Sequence, residues 1–311
     1  MRKKKFRNIL VVLGGASGER AVSLESGRAC VRALKKKGYK VKTFDPKFKN
    51  FNLINKKIDA IFNALHGKDG EDGVAQSYFE YLKVPYTHSG VISSSNAMNK
   101  LISKKIFLKN YIRTPKYFSL KKNNFNISFI INSLKKKNIH FPVIIKPVNE
   151  GSSLGVELCN NKGGLVKLIN KLLKNYDELM IEEYIGGQEI QVAVINGKAL
   201  GAIELVPKRL FYDYKAKYTK AAKTKHIMPA RLSSGQYKKV LRIAKQTHKL
   251  FKCRGVTRAD FKFYKNNFYL LEINTQPGMT SLSLVPEIAS YKGITFENLV
   301  EKILLDASIN R

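Results

Sequence analysis

Cysteine is scarce in this chain: three residues in 311, Cys30, Cys159 and Cys253, odd in number and far apart. That argues against a disulfide framework or a paired CxxC metal site, and it fits a reducing cytoplasm. No apolar run approaches the roughly 20 residues a membrane span requires, so no membrane partner is expected. The basic start, MRKKKFRNILVVLGG, has an apolar run too short for a secretory leader and leads at once into Gly18-Glu19-Arg20, so it reads as a first strand. Acidic residues are the other shortage, 23 against 57 lysines and arginines, for a formal charge of +34. Such a charge ordinarily points to nucleic acid or an acidic membrane. Here the lysines are spread over nearly every predicted helix and turn, as at Lys35 to Lys37 and Lys135 to Lys137, with no nucleic-acid motif among them. The expectation is a solvated, lysine-biased surface with no specific nucleic-acid partner.

What is present is apolar sequence for more than one core. Hydrophobic residues make up 44% of the chain, and 311 residues exceed a comfortable single core, so two or three domains are expected. Ile9 to Leu13 is a continuous apolar strand, and Gly14-Gly15-Ala16-Ser17-Gly18 turns from it into a helix beginning near Val22. Strands Tyr39 to Phe44 and Ile58 to Ala64 continue the alternation and predict an α/β, Rossmann-like layer. The glycine loop lacks G-x-G-x-x-G spacing, so a dinucleotide site is not expected. Ligands in open α/β sheets collect beyond the carboxyl ends of the strands, where Glu19 and His66 fall. Both are candidate substrate contacts; the plainer readings are a helix-terminus carboxylate for Glu19 and a loop cap for His66.

Met98, Leu101, Ile102 and Ile106 form a helical stripe that ends before Thr114-Pro115. A domain boundary placed at its start divides the chain into 1–97, 98–185 and 186–311. Lys100 lies beside the stripe. Asn123 to Asn138 reads as a peripheral helix. Phe141 to Lys146 is an apolar strand, and the following proline holds Lys146 at a fixed edge suited to a phosphate. Gly151-Ser152-Ser153-Leu154-Gly155 comes next, small residues whose amides can approach phosphate oxygens closely. Met180 to Ile185 forms a strand and connector, and FYDYKAKY, Phe211 to Tyr218, reads as an exposed functional loop. Apolar periods mark two structural helices, through Val240 to Phe251 and Phe296 to Leu304.

Two neighbouring strands carry the strongest chemistry. Val256 to Tyr264 and Phe268 to Asn274 flank Lys265-Asn266-Asn267, which implies a hairpin. If Tyr264 pairs with Phe268, antiparallel counting sets Asp260 opposite Glu272 and Arg258 opposite Asn274. The period of two puts Arg258, Asp260 and Lys262 on one face, and Leu271 and Ile273 away from Glu272 and Asn274. Facing carboxylates about 5 Å apart destabilise a sheet unless a cation lies between them. Oxygen-only donors suit Mg²⁺, which shares its remaining positions with waters and nucleotide phosphates. The other reading is an ordinary surface patch neutralised by Lys262 or Arg258.

RADF followed by LLEINTQPGMT resembles the metal-binding end of an ATP-grasp carboxylate–amine ligase, and more narrowly the D-alanine–D-alanine ligase family. LGGASGERAVSLESG, ALHGKDGEDG, FPVIIKP with EGSSLGV, and FYDYKAKY support it in order along the whole chain. The resemblance implies an ATP-grasp fold, α/β with α+β character overall, preceded by a Rossmann-like substrate domain. It implies use of ATP with two Mg²⁺ or Mn²⁺ ions to join two D-alanines for peptidoglycan synthesis, in a cytoplasmic homodimer. Carried over residue by residue, Glu19 meets the first ammonium, with His66 near the same substrate. Lys100, Lys146 and Lys217 steady phosphates. Ser152 and Ser153 lie on a lid over ATP; adenine lies against the segment holding Glu182, Glu183 and Ile185, with the choice between the two acids open; Glu189 meets the ribose. Asp260, Glu272 and Asn274 are metal ligands, Arg258 and the Gly278 amide serve the oxyanion, and Ser283 with Leu284 receives the second carboxylate. Tyr218 links Glu19 and Ser152, and as tyrosine rather than phenylalanine it implies a dipeptide product. Two departures stand out: Ala21 where many relatives carry glutamate, and Gln276, often serine. The alternatives are an ATP-grasp ligase for a different acid or amine, against which KAKY argues, and a polyanion-binding protein on a decayed scaffold, against which Arg258, Asp260, Glu272 and Asn274 argue.

Overall fold

The computed structural model describes residues 4–54, 57–123, 126–207 and 224–311. Its first layer is a parallel sheet in which β1 (Asn8–Val12) lies between β2 (Lys40–Phe44) and β3 (Ala60–Asn63). β1 is an unbroken apolar run because a central parallel strand is covered on both faces, and Ile9, Val11 and Val12 are fully buried. Helix α1 (Arg20–Lys36) begins two residues before Val22. The apolar period starts at Val22, but Arg20 is drawn into the first turn by an ion pair with Asp45, 2.7 Å away at the end of β2. Helix α2 (Val74–Tyr81) closes the other side, burying Phe79 with Leu10 and Ile61.

The stripe from Met98 to Ile106 predicts one helix, and the structure has two. Helix α3 (Val91–Met98) ends there, and Asn99 caps α4 (Lys100–Lys109), its Oδ1 accepting from the Leu101 and Ile102 amides at 3.1 and 3.0 Å. The buried face of α4 is Lys100, Ser103, Lys104 and Phe107, while Ile102 is 38% exposed. Apolarity does not choose this face. Residues four apart share one side of a helix, and here Lys100 and Lys104 both turn inward, toward carboxylates.

A four-stranded antiparallel sheet follows, β4 (Tyr117–Lys121), β5 (Val143–Pro147), β6 (Glu157–Cys159) and β7 (Glu178–Glu183), in the order β4-β7-β5-β6. Side chains alternate across a strand. Val143, Ile145, Leu179 and Ile181 enter a core closed by α5 (Ile127–Lys136) and α6 (Lys162–Leu173). Lys146 and Glu182 are therefore on the opposite face.

The last sheet is also antiparallel: β8 (Gln188–Ile195), β9 (Lys198–Val206), β10 (Lys225–Ile227), β11 (Val256–Tyr264) and β12 (Asn267–Asn274), in the order β10-β9-β8-β11-β12. One face packs on α7 (Ser234–Leu250) and on Phe107 of α4. The other face adds Ala193, Ile195, Ile203 and Leu205 to a core shared with β1, β3, α1, α8 (Leu284–Tyr291) and α9 (Phe296–Leu305). The first and last sheets are thus sealed by common apolar packing. The four-stranded sheet meets the last one across a cleft.

Candidate active site

Two adjoining hollows lie at this junction. The larger, about 730 Å³, is bounded by Ile144, Lys146 and Ile185 on one side and by Asp260, Lys262 and Leu271 on the other. The smaller, about 510 Å³, is lined by polar groups that include Glu71, Ser152, Arg258 and Asn274. Lys100 and Glu272 line both. A ligand in one hollow would therefore meet a ligand in the other at a wall made of one ammonium and one carboxylate.

The hairpin reaches the expected pairing by a different route. Its turn has two residues, Lys265 and Asn266, both left-handed with φ of 45° and 60°, and Tyr264 pairs with Asn267 rather than Phe268. Two positive φ angles match the twist of a tight hairpin. Counting from that turn alone would misplace Glu272 by one residue. A bulge at Leu271 restores the register, so Asp260 faces Glu272 and Arg258 faces Asn274. The bulge also corrects one facing: Leu270 and Ile273 enter the core, and Leu271 joins Glu272 on the wall of the larger hollow.

Arg258 grips Asp260 through both carboxylate oxygens, at 2.8 and 2.9 Å, and Lys262 pairs with Glu189 at 3.1 Å. Asn274 Oδ1 accepts from the Gln276 amide at 2.8 Å. Among the described residues no group of three or more His, Cys, Asp and Glu is placed to hold a metal ion. The donor set at this wall is instead two carboxylates facing each other and one amide oxygen, all hard oxygen donors. It fits a divalent cation that completes its shell with water or phosphate oxygens.

The opposite wall is cationic. Glu182 is buried between Lys104, 2.9 Å away, and Lys146. Burial opposes ionisation of Glu182, but the Lys104 and Lys146 ammoniums outweigh it and hold the carboxyl below its ordinary value. Burial pushes Lys104 down to about 8 against the pull of Glu182. It also lowers Lys100, against the pull of Glu272.

Loops carrying Glu71, Gly151 with Ser152, and Thr275 border the smaller hollow, and further contacts fasten them. Glu19, the N-cap residue of α1, is buried and accepts a hydrogen bond from the Ser152 hydroxyl. Ser152 and Ser153 are left-handed, with φ of 48° and 60°. A Cβ on Gly151 would lie 2.6 Å from Glu19 Oε1 and 3.2 Å from Glu71 Oε1, so only glycine lets the loop come this close. His66 Nε2 is 3.2 Å from Ser26 Oγ, and its Nδ1 is 3.9 Å from Glu71. The loop after β12 is fastened from below. Ser26 Oγ accepts from the Met279 amide at 3.1 Å, and buried Gln276 accepts from Asn63 Nδ2 at 2.9 Å while donating to the Leu65 carbonyl. Gly278 packs against Ser283, whose Oγ would lie 2.9 Å from an added Cβ. Ser283 Oγ accepts from the Thr280 amide at 2.9 Å at the start of α8.

Residues 107–305 match the family model described as D-ala D-ala ligase C-terminus. The D-alanine–D-alanine ligase of Pelagibacter ubique is 56% identical over 308 residues, covering 98% of this chain and 99% of that one. That of Carboxydothermus hydrogenoformans is 44% identical over 95% of this chain and 96% of its own length. The chain belongs to the D-alanine–D-alanine ligase family. Crystal structures of the Bacillus anthracis D-alanine–D-alanine ligase agree in fold. One superposes with a TM-score of 0.83 at 32% identity over 96% of this chain and 97% of that one; another, complexed with ATP, has the same score and coverage at 30% identity. The fold is the ATP-grasp fold.

Against the residues expected from this ligase family, the structure gathers Lys100, Lys146, Ser153, Glu182, Glu183, Ile185, Glu189, Asp260 and Glu272 around the larger hollow. It brings Ser152, Arg258 and Asn274 to the smaller one and joins Glu19 to Ser152. Glu182, an open choice beside Glu183 from sequence, is the buried counter-ion of Lys104 and Lys146; Glu183 stands at the cleft wall. Lys217 and Tyr218 lie outside the described residues. Ala21 is on the exposed side of α1, and Gln276 is a buried tie between the loop after β12 and the first sheet. Sequence reasoning missed Glu71 and Lys104. Glu71 is inside ALHGKDGEDG, but nothing local separates it from Asp69 or Asp72. For Lys104 the signal was its spacing, four residues beyond Lys100.

Proposed function

We propose that this enzyme joins two molecules of D-alanine to D-alanyl-D-alanine, using ATP, as a step of peptidoglycan precursor synthesis. The observation that carries the reading is the shared wall: Lys100 and Glu272 border both hollows, so a triphosphate in the larger and a carboxylate in the smaller would meet there. An oxygen of the first D-alanine carboxylate attacks the γ-phosphorus, the bond to the β–γ bridging oxygen breaks, and ADP leaves. The neutral amine of the second D-alanine attacks the resulting acyl phosphate, the nitrogen gives up one proton to solvent, and inorganic phosphate leaves with the electron pair of the broken C–O bond.

The chain's own residues are assigned on geometry and family likeness. Glu19 orients the first ammonium, supported by its burial and its bond to Ser152. Lys100 and Lys146, with Lys217, balance phosphate charge, and Glu183, Ile185 and Glu189 border the adenosine. Arg258 faces the smaller hollow and, with the Gly278 amide, stabilises the tetrahedral oxyanion. Ser283, at the start of α8, receives the second carboxylate, where helix amides favour an anion. Asp260, Glu272 and Asn274 would hold Mg²⁺ or Mn²⁺, two ions by family likeness, and when bound such ions supply charge neutralisation on the phosphate oxygens. Tyr218 is assigned the link from the loop to Glu19 and Ser152. Free thiols at Cys30, Cys159 and Cys253, and no helix among the described residues long and apolar enough to cross a membrane, support a cytoplasmic location. A coupled ADP-release assay across D- and L-amino acids, with chromatography of the product, tests the reading: D-alanine should support turnover and yield D-alanyl-D-alanine. Equal turnover with another acid and amine would favour a different ATP-grasp ligase.

A further inference from the structure

Three ammonium groups stand on the cationic side of the larger hollow, and the proposed function gives two of them, Lys100 and Lys146, to the phosphates. The third, Lys104, lines neither hollow. Its side chain is 0% exposed, 2.9 Å from Glu182 Oε2, and it donates to Thr114 Oγ1 at 2.6 Å. Its Nζ also lies over the Tyr117 ring, 5.3 Å from the centroid. A buried ammonium costs stability unless it is paired and hydrogen-bonded. A methionine of similar length would fill the same space on this helix without that cost, so the charge at this position calls for a reason. Glu182 supplies one. Its two oxygens face two ammoniums, Lys104 from beneath and Lys146 from the cleft side, and Lys146 is the one that reaches the hollow.

We propose that Lys104 is a positioning residue for the nucleotide: it holds Glu182 from beneath, so that the carboxylate orients Lys146 without neutralising it, and the Lys146 charge stays directed at the triphosphate. Without Lys104 the Glu182 carboxylate has one partner left, and Lys146 is drawn back into a closed ion pair. The inference rests on the nucleotide reading of the larger hollow. The charged and titratable groups acting on Lys104 are Glu182 from β7, Lys146 from β5, Tyr117 from β4 and Glu272 from β12, with Lys100 one turn before it on the same buried face of α4. Loss of its proton as pH rises past about 8 should imitate its removal.

The test measures KM for ATP, KM for D-alanine and kcat on the full chain with Mg²⁺. Lys104→Met is expected to raise KM for ATP about tenfold, with kcat and KM for D-alanine within about twofold, and to remove the fall in kcat/KM for ATP above about pH 8 that is expected of the unsubstituted enzyme. Lys104→Arg should restore most of the ATP affinity. In a Glu182→Gln background, Lys104→Met should add less than about twofold, because the two act as a unit. If Lys104→Met does not fold, Lys104→Gln makes the same measurement with a neutral hydrogen-bonding side chain. Unchanged KM for ATP in a folded neutral variant, equal effects on both substrates, or full additivity with Glu182→Gln would overturn the proposal. Lys146→Met separates the two levels: if it leaves KM for ATP unchanged, the nucleotide reading of the hollow falls, and this inference with it.

Discussion

The two walls of the cleft hold their charges in opposite ways. On the wall of β5, β7 and α4, one carboxylate, Glu182, serves two ammoniums, Lys104 and Lys146. On the hairpin wall one guanidinium, Arg258, spans both oxygens of one carboxylate, Asp260. A planar guanidinium matches a carboxylate through two parallel bonds, whereas ammoniums are point charges that can divide one carboxylate between them. The first arrangement leaves an excess of positive charge beside the hollow, as a triphosphate requires. The second holds Asp260 in place opposite Glu272 across the sheet, where the proposed divalent cation would lie. Both are mostly buried, so neither is screened as a surface ion pair is.

Breaking the hairpin wall should have the largest effect. Glu272→Gln keeps the shape of a strand position and removes its charge, so unfolding should change little while turnover falls on the order of 10³-fold, the scale of several kcal/mol of lost phosphoryl-charge stabilisation. ADP release at saturating Mg²⁺ measures it; near-normal turnover would contradict the facing-carboxylate arrangement. The equivalent change on the other wall should act on stability. Glu182→Gln leaves two buried ammoniums without their counter-ion, a loss of about 3–5 kcal/mol, read by denaturant unfolding.

The pH dependence sharpens the contrast within the cationic wall. The Glu182 carboxyl is held below its ordinary value despite its burial. Its stabilising contribution is complete above the ordinary glutamate range and is lost as pH falls through the lower native value. Glu182→Gln should therefore flatten part of the acid limb of a stability–pH curve. Lys104 gives a rise in the same direction but at the alkaline end, because burial favours its neutral form and lowers it to about 8. The native state then holds its proton less tightly than the unfolded chain, so stability rises from about pH 8 toward the ordinary lysine value near 10.4. Lys104→Met should remove that rise; an unchanged slope would mean that Lys104 titrates as a solvated lysine.

Smaller effects are expected where loops meet the smaller hollow. Gly151→Ala places a methyl group 2.6 Å from Glu19 Oε1 and must displace a carboxylate held by Ser152. If Glu19 orients the substrate as proposed, its misplacement by about 1 Å costs on the order of 10²-fold in rate, which steady-state kinetics would reveal, with stability nearly unchanged. Gln276→Ala should do the reverse. It leaves the buried Asn63 amide and Leu65 carbonyl each short of a partner, about 1–3 kcal/mol, and thermal unfolding should record more of that loss than the kinetics.

Much of this site was legible in the chain itself, for reasons of local geometry. The period of two in VTRADFKFY and FYLLEIN places carboxylates on one face, and antiparallel pairing brings Asp260 to Glu272. That result survived a turn one residue shorter than the sequence suggested, because a bulge at Leu271 compensates. The unbroken apolar run of β1, the glycine loop after it and the strand ending at Lys146 follow from equally local rules. What only the tertiary structure decided concerns groups whose partners are remote in sequence. Apolar periodicity picked Ile102 for the inner face of α4, whereas Lys104 is fully buried there beside Phe107, because Glu182, seventy-eight residues away, lies where only folding can put it. The same holds for Gln276 with Asn63, 213 residues apart. Periodicity ranks side chains by their cost of leaving water, and a buried charge escapes that ranking when its counter-ion comes from another sheet.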